Sequence, residues 1–294
     1  MKFNNFFSPF GALILVLLPV LSSYYKSETA EFVTDHGHDN NLFAMDLMSE
    51  LSHGEERNIF ISPFSISTAL AMTYAGSDSQ TKEEMAKAMH FQENNDDFHS
   101  SYGRYLSELM AKADGNIDLN IANKLWGEKK YVLKEDFLSL TKNAYNSPLQ
   151  KLDFKNQPDK SRTTINAWVE KITKEKIKNL LPEGSVDETT KLILTNAIYF
   201  KADWLHKFDE KQTKKDNFYL IKGKKKRVDF MNRFGVYNFY QDANYKMIRL
   251  PYKGEKHSMV IVLPHVGDSI NSLIDNFDLK KLDYTFGYGA HNLK

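Results

Sequence analysis

The chain has 294 residues, with 39 Lys and Arg against 38 Asp and Glu and a formal charge of +1, a balance that gives no global polybasic character. Hydrophobic residues make up 41% of it and aromatics 13%, too apolar for a disordered chain and long enough for one large mixed fold or two domains. Zero Cys excludes a disulfide framework, a thiolate zinc site, a Cys nucleophile and an iron–sulfur cluster.

At the N-terminus, Lys2 is the only charge before Lys26, and the apolar run Gly11 to Leu21 ends in Ser22 and Ser23. This reads as a secretory signal peptide over 1–22, with an apolar core too short for the roughly 20 residues of a membrane span. The expectation is a secreted, extracellular protein, with a flexible segment over 23–37 and no association with a membrane.

The first helix is expected from Asp39 to Leu51, where Leu42, Phe43, Leu47, Met48 and Leu51 share a face. Asn58 to Ser62 reads as a short strand. Ser62 and Pro63 then have the form of an N-cap and first helical position, opening a helix that is apolar almost all round and that Gly76 ends. Thr81 and Glu84 make a capping box for the next helix, and a third spans Phe98 to Ala113. Ile117 to Trp126 alternates like a strand, and Ser161 to Leu181 repeats its apolar positions at helical spacing. Leu192 to Phe200 is nearly continuous in apolar residues, as a strand buried on both faces should be. Asn196 stands in its middle, and a buried amide costs about 1–3 kcal/mol unless bonded, so it predicts a hydrogen-bond network. Val236 to Tyr240 and Ser258 to Leu263 suggest a final strand pair, and the fold class is α+β.

The chain contains no G-x-S-x-G elbow, H-E-x-x-H, phosphate-binding P-loop or EF-hand loop, so no enzyme, metal or cofactor is expected. His36-Gly37-His38-Asp39 has metal-ligand donor types, but its position reads as the exposed, flexible N-terminus. Gly287-Tyr288-Gly289 lacks the third glycine of a nucleotide loop. The one basic run, Lys222-Gly223-Lys224-Lys225-Lys226-Arg227, reads as a turn glycine with solvated charges rather than a heparin or nucleic-acid patch.

Asn58-Ile59-Phe60-Ile61-Ser62-Pro63-Phe64-Ser65-Ile66, followed by Ala69-Leu70-Ala71-Met72, Gly76, Thr81 and Met85 to Phe91, resembles the N-terminal signature of the serpins, the serine protease inhibitors. Thr195-Asn196-Ala197-Ile198-Tyr199-Phe200-Lys201 with Trp204 resembles the family's central strand of sheet A. Leu250-Pro251-Tyr252-Lys253-Gly254, Ser258-Met259 and Val262-Leu263-Pro264 resemble later sheet strands, so the likeness runs from His38 to Asp283.

The resemblance implies a serpin-like domain over 38–283 with many helices and three sheets, one helix lying across the main sheet. It places Ser62, Ser65 and Asn196 in a polar shutter beneath that sheet and Trp204 in the breach where insertion begins. Each position also has an ordinary role in capping or packing.

Family inhibitors are suicide substrates of serine proteases: an exposed reactive loop is cleaved and inserts into sheet A. The sequence departs from that pattern after Pro264, and its 284–294 tail, Tyr284 to Lys294, does not resemble the family. The expectation is a C-terminally truncated serpin without its reactive loop and last strands, non-inhibitory as it stands, whose unfinished sheets favour aggregation. The alternative is a secreted, non-inhibitory binding protein derived from a serpin. No nucleic acid is expected as a partner, and a glycosaminoglycan has no support in the third helix, which carries only Arg104 and Lys112.

Overall fold

A computed structural model describes residues 30–53, 58–91, 97–111, 115–220, 224–265 and 269–282, with side chains from 36 onward. The expected leader 1–22, the 284–294 tail with its Gly-Tyr-Gly, Lys112 and Lys222-Gly223 lie outside them. The described parts of Ser27–Phe43 and Ser62–Lys201 form one compact unit, those of Ala44–Ile61 and Ala202–Lys294 another.

Helix α1 (Ala30–Ser52) begins well before the expected Asp39 and takes in the part of the 23–37 segment that was read as flexible. His36 is not an exposed terminus or a ligand: it is buried, 2.7 Å from Ser101 Oγ and edge-on to Phe98 and Tyr102. An imidazole gains enough from aromatic packing and one hydroxyl partner to hold the helix there.

In the first unit, α2 (Pro63–Tyr74) is capped by Ser62 with Pro63 in its first turn. It buries Phe64, Ala71 and Met72 and bonds Ser67 to the Tyr102 hydroxyl at 3.2 Å. Residues 58–62 are irregular rather than a strand, for no described strand pairs with them and Phe60 is 94% exposed. Helix α3 (Ser79–Ala88) opens at Asp78, not at the Thr81 box, since the Asp78 carboxylate accepts from Ser79 N and Glu84 accepts from Gln80 instead.

The aromatic face of α4 (Phe98–Ala111) precedes β1 (Ile117–Glu128), α5 (Glu135–Tyr145), β2 (Leu149–Leu152), α6 (Pro158–Ile172) and β3 (Leu192–Ala202). The strands make a sheet in the order β2-β1-β3, with β1 and β2 parallel. Helix α6 buries Ile165 and Val169 and joins Trp126, Phe154 and Val186 in one core cluster.

Two expectations change here. The helix predicted to run to Leu181 ends at Ile172, because Lys174, Glu175 and Asn179 take positive φ and the Thr173 hydroxyl accepts from Ile177 N in place of a continued turn. Strand β3 is only half-buried apart from Thr195 and Ala197. It occupies the edge of the described sheet, so the apolar run is not enclosed on both faces.

The second unit holds the hairpin β4 (Lys214–Tyr219) and β5 (Lys225–Phe230) and the antiparallel meander β6 (Asn238–Gln241), β7 (Tyr245–Pro251) and β8 (Ser258–Pro264). Strand β7 lies between the two strands expected to pair with each other. Tyr245 and Met247 of β7, Val260 and Val262 of β8, and Leu273 of α7 (Ile270–Asp275) close its core with Leu282.

Candidate functional site

Three of the four predicted site residues meet in the first unit. The β-region backbone of Ser62 lets its hydroxyl accept the Ser65 N–H at 3.4 Å, satisfying one orphan donor of the first turn of α2. Ser65 thereby faces β3, and its hydroxyl donates to the Asn196 Oδ1. The Asn196 amide donates in turn to Asn123 Oδ1 of β1 at 2.5 Å, and Asn123 donates to the Tyr145 carbonyl at 3.3 Å.

One chain of hydroxyls and amides therefore ties α2, β1, β3 and the end of α5. Asn123 is the partner that sequence reasoning missed. Its signal was present: Ile117, Leu119, Ile121, Asn123 and Leu125 share one side of an alternating strand, and Asn123 is the polar member.

The other face of β3 is tied separately. Thr195, on the opposite side of the strand from Asn196 by alternation, is buried. It accepts from Trp126 Nε1 at 2.9 Å and donates to the Lys124 carbonyl at 3.3 Å. Trp126 meets Trp168 of α6 edge-on at 5.6 Å, with the Lys124 ammonium 4.4 Å from the Trp126 ring centroid. Burial lowers the pKa of that ammonium. The β1–β3 pair is thus held by an amide bond on one face and a hydroxyl relay on the other.

Trp204 belongs to the second unit and does not join this network. It stacks on Tyr252 with centroids 4.7 Å apart and planes 11° from parallel, and the two residues form a backbone bridge. Burial pushes the Tyr252 phenol up to about 12. Beside the stack opens a cleft of about 210 Å³ lined by Phe208, Arg233, Tyr237 and Arg249. Arg249 donates to Ser258 Oγ at 2.8 Å, and burial lowers the pKa of its guanidinium.

The Ser62–Ser65–Asn196–Asn123 chain is built from hydroxyls and carboxamides, which neither titrate near neutrality nor carry an activating base, so it can lock or release strands but supplies no general acid or base. Among the described residues no cluster of three His, Asp or Glu side chains could hold a metal ion, and no helix is long and apolar enough to cross a membrane.

Comparison with known proteins places these elements. A family model described as Serpin (serine protease inhibitor) matches residues 38–286. Human Serpin B3 is 35% identical over 260 residues, covering 83% of this chain and 66% of that protein. An uncharacterized serpin-like protein of Methanosarcina acetivorans is 40% identical, covering 82% and 57%, and the bovine leukocyte elastase inhibitor is 42% identical, covering 76% and 60%. The chain thus spans 57% to 66% of the length of these relatives. Among solved structures, emu ovalbumin superposes with a TM-score of 0.83 at 30% identity, over 88% of this chain and 71% of that one.

Proposed function

Because this chain belongs to the serpin family, we propose that the protein it represents is a secreted inhibitor of serine proteases that works by inserting a reactive loop beside β3. The observation that carries this reading is the chain of bonds from Ser65 through Asn196 to Asn123, which fastens β3 from below with groups able to exchange partners. In the proposed sequence the protease serine forms an ester with a loop carbonyl, the peptide bond on the far side of that carbonyl breaks, and the freed strand adds to the sheet. Ser62, Ser65 and Asn196 would act as the shutter, and Trp204 would mark the point of entry. The apolar leader over 1–22 supports an extracellular location, and the likeness to an inhibitor named for leukocyte elastase makes an elastase-like enzyme the first target to try.

A second reading, a non-inhibitory binding protein, draws on the likeness to emu ovalbumin, whose name mentions no protease. Incubating the native protein with elastase-, trypsin- and chymotrypsin-like enzymes separates the two. An SDS-resistant complex supports inhibition, whereas plain degradation, or survival without a complex, leaves the binding protein. Recovery from the culture medium of a mature chain starting near Ser23 tests secretion.

A further inference from the structure

The β4–β5 hairpin carries charge out of proportion to the chain. Its described residues from Lys214 to Phe230 hold six cations and two carboxylates, a surplus of four in a protein whose whole surplus is one. The charge is also sorted along the ladder. At the base, Lys214 and Lys215 stand with Asp216 and Asp229, and Lys215 is directly opposite Asp229. Toward the tip, Tyr219 pairs with Lys225, Phe218 with Lys226 and Asn217 with Arg227, while Leu220 N donates to the Lys224 carbonyl at 2.6 Å.

The tip half thus has four cations and no carboxylate. All four are exposed, and none is joined to a carboxylate by an ion pair among the described residues. Side chains alternate along a strand, so Lys225 and Arg227 point to one face and Lys224 and Lys226 to the other, with neighbours on a face about 7 Å apart.

From this arrangement we infer that the tip half of the hairpin is a binding site for a flexible, linear sulfated polysaccharide, which straddles β5 and meets both pairs of cations. A lipid surface or a rigid duplex would meet one face, hence two of the four. A single-stranded nucleic acid can bend around a strand, but such sites draw on successive stacking aromatics, and Tyr219 is the one exposed aromatic here. Sulfate esters need only point charges, which the lysines supply. The site does not depend on protease inhibition, so either can fail without the other.

The test uses the full chain, with heparin as the probe and fully desulfated heparin and poly-dT as competitors. Wild type is expected to be retained on heparin above about 0.15 M salt. The Lys224→Ala/Lys226→Ala and Lys225→Ala/Arg227→Ala pairs should each weaken binding about tenfold, and all four changes at least about a hundredfold. Replacing the three lysines by arginine should retain binding, and a control pair on α3, Lys82→Ala/Lys87→Ala, should leave it unchanged. Unaltered binding by the quadruple variant, with its circular dichroism intact, overturns the site. Loss confined to one pair overturns the straddling geometry. Equal competition by desulfated heparin overturns the role of sulfate, and stronger competition by poly-dT makes the ligand a nucleic acid instead.

Discussion

Asn196 is the residue at which local physics and three-dimensional context meet. A carboxamide in an apolar strand demands partners, and that demand was legible in the sequence together with the Ser62-Pro63 cap. Its acceptor on Asn123 lies 73 residues away, a distance at which strand register is decided by tertiary pairing rather than by local pattern. Asn196→Ala and Asn123→Ala are each expected to cost about 1–3 kcal/mol, and the double variant less than their sum, because the second change removes a group the first left unpaired; urea melts of the four proteins measure this. His99 makes a prediction of a different sort. Burial, assisted by the Lys82 charge, lowers its pKa to about 4 from 6.5, while its ring bonds the Tyr145 hydroxyl at 2.7 Å. The unfolded chain therefore binds the extra proton first, so this contribution to stability is complete above about pH 6.5 and falls away as pH drops toward 4. The urea midpoint should decline between pH 7 and pH 5, and His99→Phe should flatten that decline; an equal slope in the variant would assign the acid sensitivity elsewhere.

At the scale of elements, most helices and strands could be placed from periodicity, and the departures share a cause. Ile177 and Leu180 keep helical spacing beyond Ile172, yet positive φ at Lys174 and Glu175 turns the chain away, and the two side chains are exposed. His36 looked like part of a loose terminus because the hydroxyl it meets belongs to Ser101, 65 residues on. The run from Leu192 to Phe200 has the composition of an enclosed strand, but composition does not say how many neighbours a strand has. Helix α4 and α5 show how closely packing can bring two elements together. A Cβ on Gly103 would sit 2.6 Å from the Ala144 carbonyl oxygen and 2.9 Å from its Cα, both backbone atoms that cannot swing aside. Gly103→Ala should therefore push α4 from α5 and cost about 2–4 kcal/mol, seen as a lowered Tm, whereas Gly115→Ala serves as a test of backbone strain alone, having φ of +79° and open space around it.

Taken as a whole, the molecule matches relatives over most of its own length but over 57% to 66% of theirs. Family membership was readable from the Asn58–Ile66 and Thr195–Lys201 motifs, whereas target and inhibitory status depend on residues no described element contains. In the second unit Phe60, Phe234 and Val236 are 94%, 67% and 66% exposed, so the 294 residues expressed by themselves should bind an apolar dye and sediment above monomer mass; a dye-silent monomer would show that these side chains are covered. The distribution of tryptophan has a practical consequence. Of the three indoles in the chain, Trp126 and Trp168 pair in the first unit and Trp204 lies against Tyr252 in the second. Intrinsic emission is therefore two spectroscopic channels in one protein: Trp204→Phe leaves a signal that reports the first unit alone, the difference from wild type reports the second, and a denaturant titration read in both channels reveals whether the two halves melt as one or in turn.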